Sequence, residues 1–167
     1  MPQSVLSSIL WNGLAPGRFP EDPARGLDYY VNLGRVYDVY LAALDVENLA
    51  PGIYYYDLNQ HLLDPVHRDI TRPDIVSMLI GQPAPLTASC VLLLAVSYQR
   101  IQWVYRHDRV MRNAFINAGK VVQDLILVAT AFQLTTAISP AVCDSVASTI
   151  LGLRMRDEQL LHTLSIG

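Results

Sequence analysis

The sequence predicts an α+β fold, a sheet with helices on its faces. Three stretches carry that prediction. Residues 35–44 and 53–57 are rich in tyrosine and valine and are joined by a Pro/Gly turn, the pattern of a strand hairpin. Residues 88–96 form a short unbroken apolar run, typical of a central strand buried on both faces. Residues 112–133 contain no proline, and Phe115, Ala118, Val122, Leu125, Ala129 and Phe132 recur at helical spacing.

In chain order, residues 4–11 predict a short helix with Val5 and Ile9 facing in, and Leu6 and Leu10 as further inward candidates. Residues 12–23 hold two glycines and three prolines and read as a loop. Residues 25–34 read as irregular. The hairpin strands follow, with Tyr54 and Tyr56 on one face and Tyr55 on the other, and residues 58–61 turn the chain. Residues 73–80 predict a helix opened by Thr71 or Arg72, with Pro73 at a tolerated early position. Residues 82–85 are a loop. After the buried strand, residues 97–112 form a basic, aromatic connector. The long helix follows, then a short strand over 134–138. A helix starts at Ser139 or Pro140, runs to Ile150 and is ended by Gly152. Residues 159–166 close the sheet.

Beyond Asp124 the long helix is apolar on every side, through Ile126, Leu127, Val128 and Ala131. Such a helix is surrounded by protein, and a second subunit is expected to cover part of it. Its first half is too polar for a membrane span. Gly119 costs about 1 kcal/mol there relative to alanine. A close-packed second helix or a planar cofactor offsets that cost; a plain core helix tolerates it.

At 167 residues, one domain over 1–167 with a substantial core is expected. The net charge of −3 and pI near 5.7 give no general attraction for nucleic acid or acidic membranes. Cys90 and Cys143 sit among apolar neighbours and read as reduced, buried residues of a cytoplasmic protein. No charged segment precedes an apolar one at the start, so no secretory signal is expected.

The four histidines lack metal-ligand spacing and read as single surface residues; no metal is assigned. There is no G-x-S-x-G, G-x-G-x-x-G or P-loop. Arg100, Arg106, His107, Arg109 and Arg112 interleave with Tyr98, Trp103 and Tyr105. That is an arrangement for a flat, phosphorylated aromatic ligand. A solvated connector paired with the chain's acids has the same composition.

Five pieces in order resemble the nitroreductase-fold flavin enzymes, closest to the azoline dehydrogenases that make thiazoles and oxazoles in peptides. Residues 6–11, LSSILW, match L-S-x-L-L-W. Residues 49–57, LAPGIYYYD, with His61 and Leu63, match G-L-x-P-G-x-Y-x-Y-D and its trailing H-x-L. Tyr105, Arg109 and Arg112 match K-Y-x-x-R-x-x-R. Ala118, Gly119 and Gln123 match A-G-H-x-x-Q-N-L. Leu151, Gly152, Leu153, Glu158 and Gly167 match the ending.

The resemblance implies an antiparallel or mixed sheet flanked by helices. It also implies a homodimer built on the long central helix, with FMN at the interface. On it, Tyr105 is the candidate acid/base. Arg106 and Arg109 are phosphate candidates, and Asn32, Gly34, Gly119 and Gln123 are further flavin contacts. The substrate is a peptide-derived or small heterocyclic compound, and a heteromeric biosynthetic complex is an expected setting.

The chain also departs from the pattern. Val31-Asn32-Leu33-Gly34 stands for P-S-x-G. Val104 stands for the catalytic lysine, Lys120 for the histidine, and Asp124 for an asparagine. The family's N-terminal R-R-S arm has no counterpart here. These departures imply the alternative of a catalytically degenerate scaffold or partner subunit.

Overall fold

The structure is a computed structural model that describes residues 1–14, 36–104, 106–107 and 109–167. Helix α1 (Gln3–Leu14) leads. Strands β1 (Tyr37–Ala43), β2 (Gly52–Asp57) and β3 (Leu62–Arg68) then form a meander. Helix α2 (Arg72–Met78), a 3-10 turn (Ala84–Leu86), strand β4 (Cys90–Ser97) and helix α3 (Tyr98–Val104) follow. The long helix α4 (Val110–Ala131), strand β5 (Thr136–Ser139), helix α5 (Asp144–Leu151) and strand β6 (Glu158–Ile166) complete the order. The sheet has six antiparallel strands in the order β3-β2-β1-β4-β6-β5.

The strand pattern decides which helix goes where. In β1, Val39 and Leu41 point to one face and Ala42 to the other. The first face carries α1 and α4, packed on Tyr56, Leu92, Leu94 and Leu164. The second carries α2 and α5, packed on Ile53, Val91, Leu93 and Leu160. β4 lies between β1 and β6 and is buried at every residue, as its apolar run predicts.

α2 opens on a capping box: the Thr71 hydroxyl accepts from the Asp74 N–H, and the Asp74 carboxylate accepts from the Thr71 N–H at 2.9 Å. Gly152, left-handed at φ 70°, closes α5 as expected.

Several expectations need correction. Residues 62–68 form an exposed edge strand, which LLDPVHR does not predict because it has no alternation. Residues 98–104 form a helix rather than a connector. The helix expected from Ser139 or Pro140 starts at Asp144. Ser139 belongs to β5, and Cys143 has extended backbone.

The long helix is wrapped on one side only within the chain. Its buried row is Val110, Ala114, Ala118, Val121, Val122, Leu125 and Ala129. Phe115 and Phe132, expected inside, are 49% and 41% exposed. Val110–Ala131 is long and apolar enough to cross a membrane, but its buried row is committed to α1 and the sheet. Cys90 is buried as expected, whereas Cys143 is half-buried.

Candidate functional site

The sequence-predicted site splits into three parts. Asn32, Gly34 and Tyr105 lie outside the described residues. Arg106 and Arg109 are exposed on the turn between α3 and α4. Gly119 and Gln123 are exposed on α4, one turn apart and hence on one face. The turn and the α4 face are consecutive along the chain, because Arg109 is the N-cap residue of α4.

The turn concentrates positive charge. The Arg106 guanidinium lies 5.7 Å from the ring centre of Trp103, whose surface is 77% exposed. Arg109 makes no side-chain cap bond. The ion pairs among the described residues are Arg100–Asp38 and Arg154–Glu158, so Arg106, Arg109 and Arg112 have no carboxylate partner there. The expectation that acids neutralise this segment is not met at these three positions. Three cations at a helix N-terminus also oppose the helix dipole, which favours an anion at that end.

Beside this turn lies a small cleft between α3, α4 and the start of β1. Val36, Tyr37, Ile101 and Val110 give it an apolar floor, with Asn113 and Asn117 as polar groups. The Tyr37 hydroxyl donates to the Ala114 carbonyl and ties β1 to α4 there. At about 10 Å³ the cleft holds one water and no ring. The other face of α4 is open among the described residues, with Phe115, Ile116 and Leu127 about half exposed around Gly119 and Gln123. Among the described residues, a Cβ at Gly119 would meet nothing within 4 Å.

Two side-chain constellations escaped the sequence reading. Ser7 Oγ lies 2.8 Å from His61 Nε2, and the Tyr56 hydroxyl lies 2.6 Å from His61 Nδ1. The Trp11 ring meets His61 edge-on at 4.8 Å. His61 is therefore a half-buried buckle between α1 and the β2–β3 hairpin, not a lone surface residue. Ser7 sits mid-helix, where backbone N–H groups are spent on helical bonds and no oxyanion site is at hand. The geometry joins elements and does not make a nucleophile. The signal was present, since residues 6–11 supply Ser7 and Trp11, and residues 49–57 with the trailing H-x-L supply Tyr56 and His61.

The second constellation holds α3 on the sheet. Arg100 pairs with both Asp38 oxygens, one at 3.2 Å, and the Tyr55 hydroxyl donates to the same carboxylate at 3.3 Å. The Tyr98 hydroxyl donates to Gln159. Burial and then the Asp38 charge push the Tyr40 phenol up to about 12, so it stays protonated. His162 is half-buried, and its Nδ1 is the buried side-chain atom without a partner among the described residues.

No protein-family model matches the chain. In sequence it is 24% identical to the trifolitoxin operon protein TfxC of Rhizobium leguminosarum bv. trifolii, over 97% of this chain and 48% of that protein. It is 26% identical to a Methanocaldococcus jannaschii protein that carries the name nitroreductase, over 78% of this chain and 66% of that one. The chain thus spans about half and about two thirds of these curated relatives.

In structure it is similar along its whole length to a nitroreductase of Anabaena variabilis, with TM-score 0.85, 21% identity and 34% of that chain covered. It is similar to the Escherichia coli microcin synthetase McbBCD complex with truncated pro-MccB17 bound, with TM-score 0.82, 22% identity and 64% covered. A Desulfovibrio desulfuricans nitroreductase in complex with FMN matches 99% of this chain and 73% of its own, with TM-score 0.59 and 15% identity. The six-stranded antiparallel sheet between two pairs of helices, with α4 long and half bare, is the nitroreductase fold.

Proposed function

We propose that the chain is an FMN-dependent oxidoreductase that acts on a peptide-derived or heterocyclic substrate as part of a biosynthetic assembly. The observation that carries this reading is the trio Arg106, Arg109 and Arg112, without carboxylate partners among the described residues, at the head of a half-bare central helix. The names of TfxC and of the McbBCD complex support the biosynthetic setting, and the FMN-bound neighbour supports the cofactor.

The residues fit the two ends of FMN differently. Guanidinium groups suit a phosphate dianion, so Arg106 and Arg109 would hold that end. The cleft beside them has no room for an isoalloxazine ring. A ring therefore needs a second surface over the open face of α4, where Gly119 leaves the backbone accessible and Gln123 offers an amide. A second copy of this chain supplies that surface in the proposed homodimer.

When bound, FMN supplies the two-electron acceptor. The chain's own residues bind, orient and exclude water. Tyr105 is the proposed proton donor or orienting group, because phenols as a class are poor general bases at neutral pH. Asn32 and Gly34 are proposed as further flavin contacts.

FMN and riboflavin binding to the wild type and to Arg106→Gln and Arg109→Gln tests this. FMN is expected to bind at least about tenfold tighter than riboflavin, a difference of about 1.4 kcal/mol, and the variants are expected to erase that preference. Equal affinities in the wild type would remove the phosphate role.

The second reading, a dimeric scaffold without flavin, is favoured by Val104 standing where the resemblance implies a lysine.

A further inference from the structure

Arg72, Arg100, Arg106 and Arg154 are held in two different ways. Arg72 donates to the Pro85 and Ala88 carbonyls, each at 2.7 Å. Arg100 donates to both oxygens of Asp38, and Arg154 pairs with Glu158 at 3.0 Å. In these three the N–H groups do the holding. Arg106 is held by a ring instead: its guanidinium lies 5.7 Å from the ring centre of Trp103. Among the described residues it has no carboxylate partner.

The difference is chemical. A cation over an aromatic face is attracted by the ring quadrupole and not through its N–H groups. Arg106 is therefore restrained while its donors stay unspent among the described residues. A guanidinium presents those donors in a fixed fork that matches the oxygens of a phosphate. An arginine on a turn otherwise samples many rotamers, and an anion that captures it has to order the whole side chain. Restraint before binding lowers that cost.

Packing does not account for Trp103. Its side chain is exposed, whereas Ile101, two residues earlier and about 200° around the helix, is buried. The inner side of α3 is fixed to the sheet by Ile101 and by the Tyr98–Gln159 and Arg100–Asp38 bonds. The indole thus stands on a helix anchored from the opposite side. That is a firm mount for a ring whose contact among the described residues is Arg106.

We propose that Trp103 is a positioning residue of the phosphate site. Its indole face keeps the Arg106 guanidinium ordered and leaves the N–H groups for a phosphate monoester, here the phosphate of FMN. The inference rests on the reading that Arg106 and Arg109 hold that phosphate. Trp103 acts through Arg106 alone, so its contribution is confined to ligands that carry the phosphate.

FMN and riboflavin affinities test this in the wild type, in Trp103→Leu, Trp103→Phe and Arg106→Gln, and in Trp103→Leu combined with Arg106→Gln. Trp103→Leu is expected to weaken FMN about two- to fivefold, the range of an exposed cation–π contact, and to leave riboflavin unchanged. Trp103→Phe keeps a ring face and is expected to restore part of the loss. In the Arg106→Gln background, Trp103→Leu is expected to change neither affinity. A readout without flavin is the Arg106 Nε–H resonance. It is expected to shift when Trp103→Leu removes the ring current and, in the wild type, to shift on addition of inorganic phosphate.

The proposal is overturned if Trp103→Leu leaves FMN affinity unchanged, or still weakens FMN when Arg106 is glutamine. It is also overturned if riboflavin weakens equally, the pattern of a merely structural role, or if the Arg106 resonance ignores the leucine substitution. Where the wild type prefers FMN, Arg106→Gln removes the preference and Trp103→Leu keeps it, this inference fails and the FMN reading stands. Where the wild type binds FMN and riboflavin alike, the phosphate reading fails and the inference falls with it.

Discussion

Gly13 on α1 and Leu125 on α4 meet where the two helices cross. A Cβ on Gly13 would lie 2.7 Å from Leu125 Cδ2 and 3.3 Å from its Cα. The Leu125 tip has some freedom to move, but its backbone does not, so Gly13 sets the spacing between the helices. Valine there overpacks the contact without the helix-propensity gain of alanine. Gly13→Val is expected to lower unfolding free energy by about 1–3 kcal/mol in urea denaturation. An unchanged midpoint would mean that α1 is free to shift outward.

Gly119 is the opposite case. Among the described residues, no atom lies within 4 Å of its Cβ position. In an isolated chain, Gly119→Ala is expected to stabilise by up to about 1 kcal/mol through helix propensity. Gly119→Leu is expected to weaken dimer or flavin binding by about 1–3 kcal/mol through overpacking. Analytical ultracentrifugation with and without FMN measures this. A dimer indifferent to leucine at 119 would place the contact elsewhere.

The Asp38–Arg100 pair is expected to hold α3, and with it the basic turn. Asp38→Asn leaves a partly exposed guanidinium without its partner. The cost is expected to be about 1–2 kcal/mol, below that of a fully buried pair. Faster trypsin cleavage after Arg106 and Arg109, read by mass spectrometry, separates loosening of this turn from global destabilisation. Uniform acceleration at all sites would assign the pair to general stability.

His162 makes stability depend on pH. Burial holds its pKa below the usual histidine range, and the orphan Nδ1 gives the imidazolium nothing to bond. The unfolded chain therefore takes up a proton first. Above an unfolded pKa of about 6.5 the group is neutral in both states and contributes no pH dependence; stability then falls as pH drops through the folded value. His162→Leu is expected to flatten the slope of unfolding free energy between about pH 5 and 7. A slope equal to the wild type would assign it to other groups.

The two thiols are expected to differ in reactivity. The Cys143 thiol is held below its usual pKa by the Ser145 hydroxyl and the Val146 N–H, whereas burial pushes Cys90 up to about 12. Iodoacetamide at neutral pH is expected to label Cys143 and spare Cys90 in the folded protein. Equal labelling would indicate that β4 opens readily.

What the sequence conveyed depended on burial. β4 was legible because a strand buried on both faces must be apolar throughout, and β1 and β2 because tyrosine and valine mark pleated surfaces. β3 was not legible, because an exposed edge strand needs no apolar pattern and its Pro65 argues against a strand. The existence of α4 was plain from periodicity, but its buried face was misread. The sequence weights Phe115 and Phe132 as core, whereas the buried row of α4 holds the small Ala114, Ala118 and Ala129. Of Gly13 and Gly119, the one with close packing within the described residues of one chain is Gly13.

The basic turn was legible as a charge cluster. Its lack of carboxylate partners among the described residues was not, because pairing depends on where the sheet places Asp38 and Glu158.

The visible absorbance spectrum of the purified protein, before and after soaking with FMN and gel filtration, bears most directly on the flavin reading. The expected result is a flavin band that co-elutes with protein, is released as FMN on denaturation, and is lost in Arg109→Gln. A colourless protein that takes up no FMN would contradict it and leave the scaffold reading in its place.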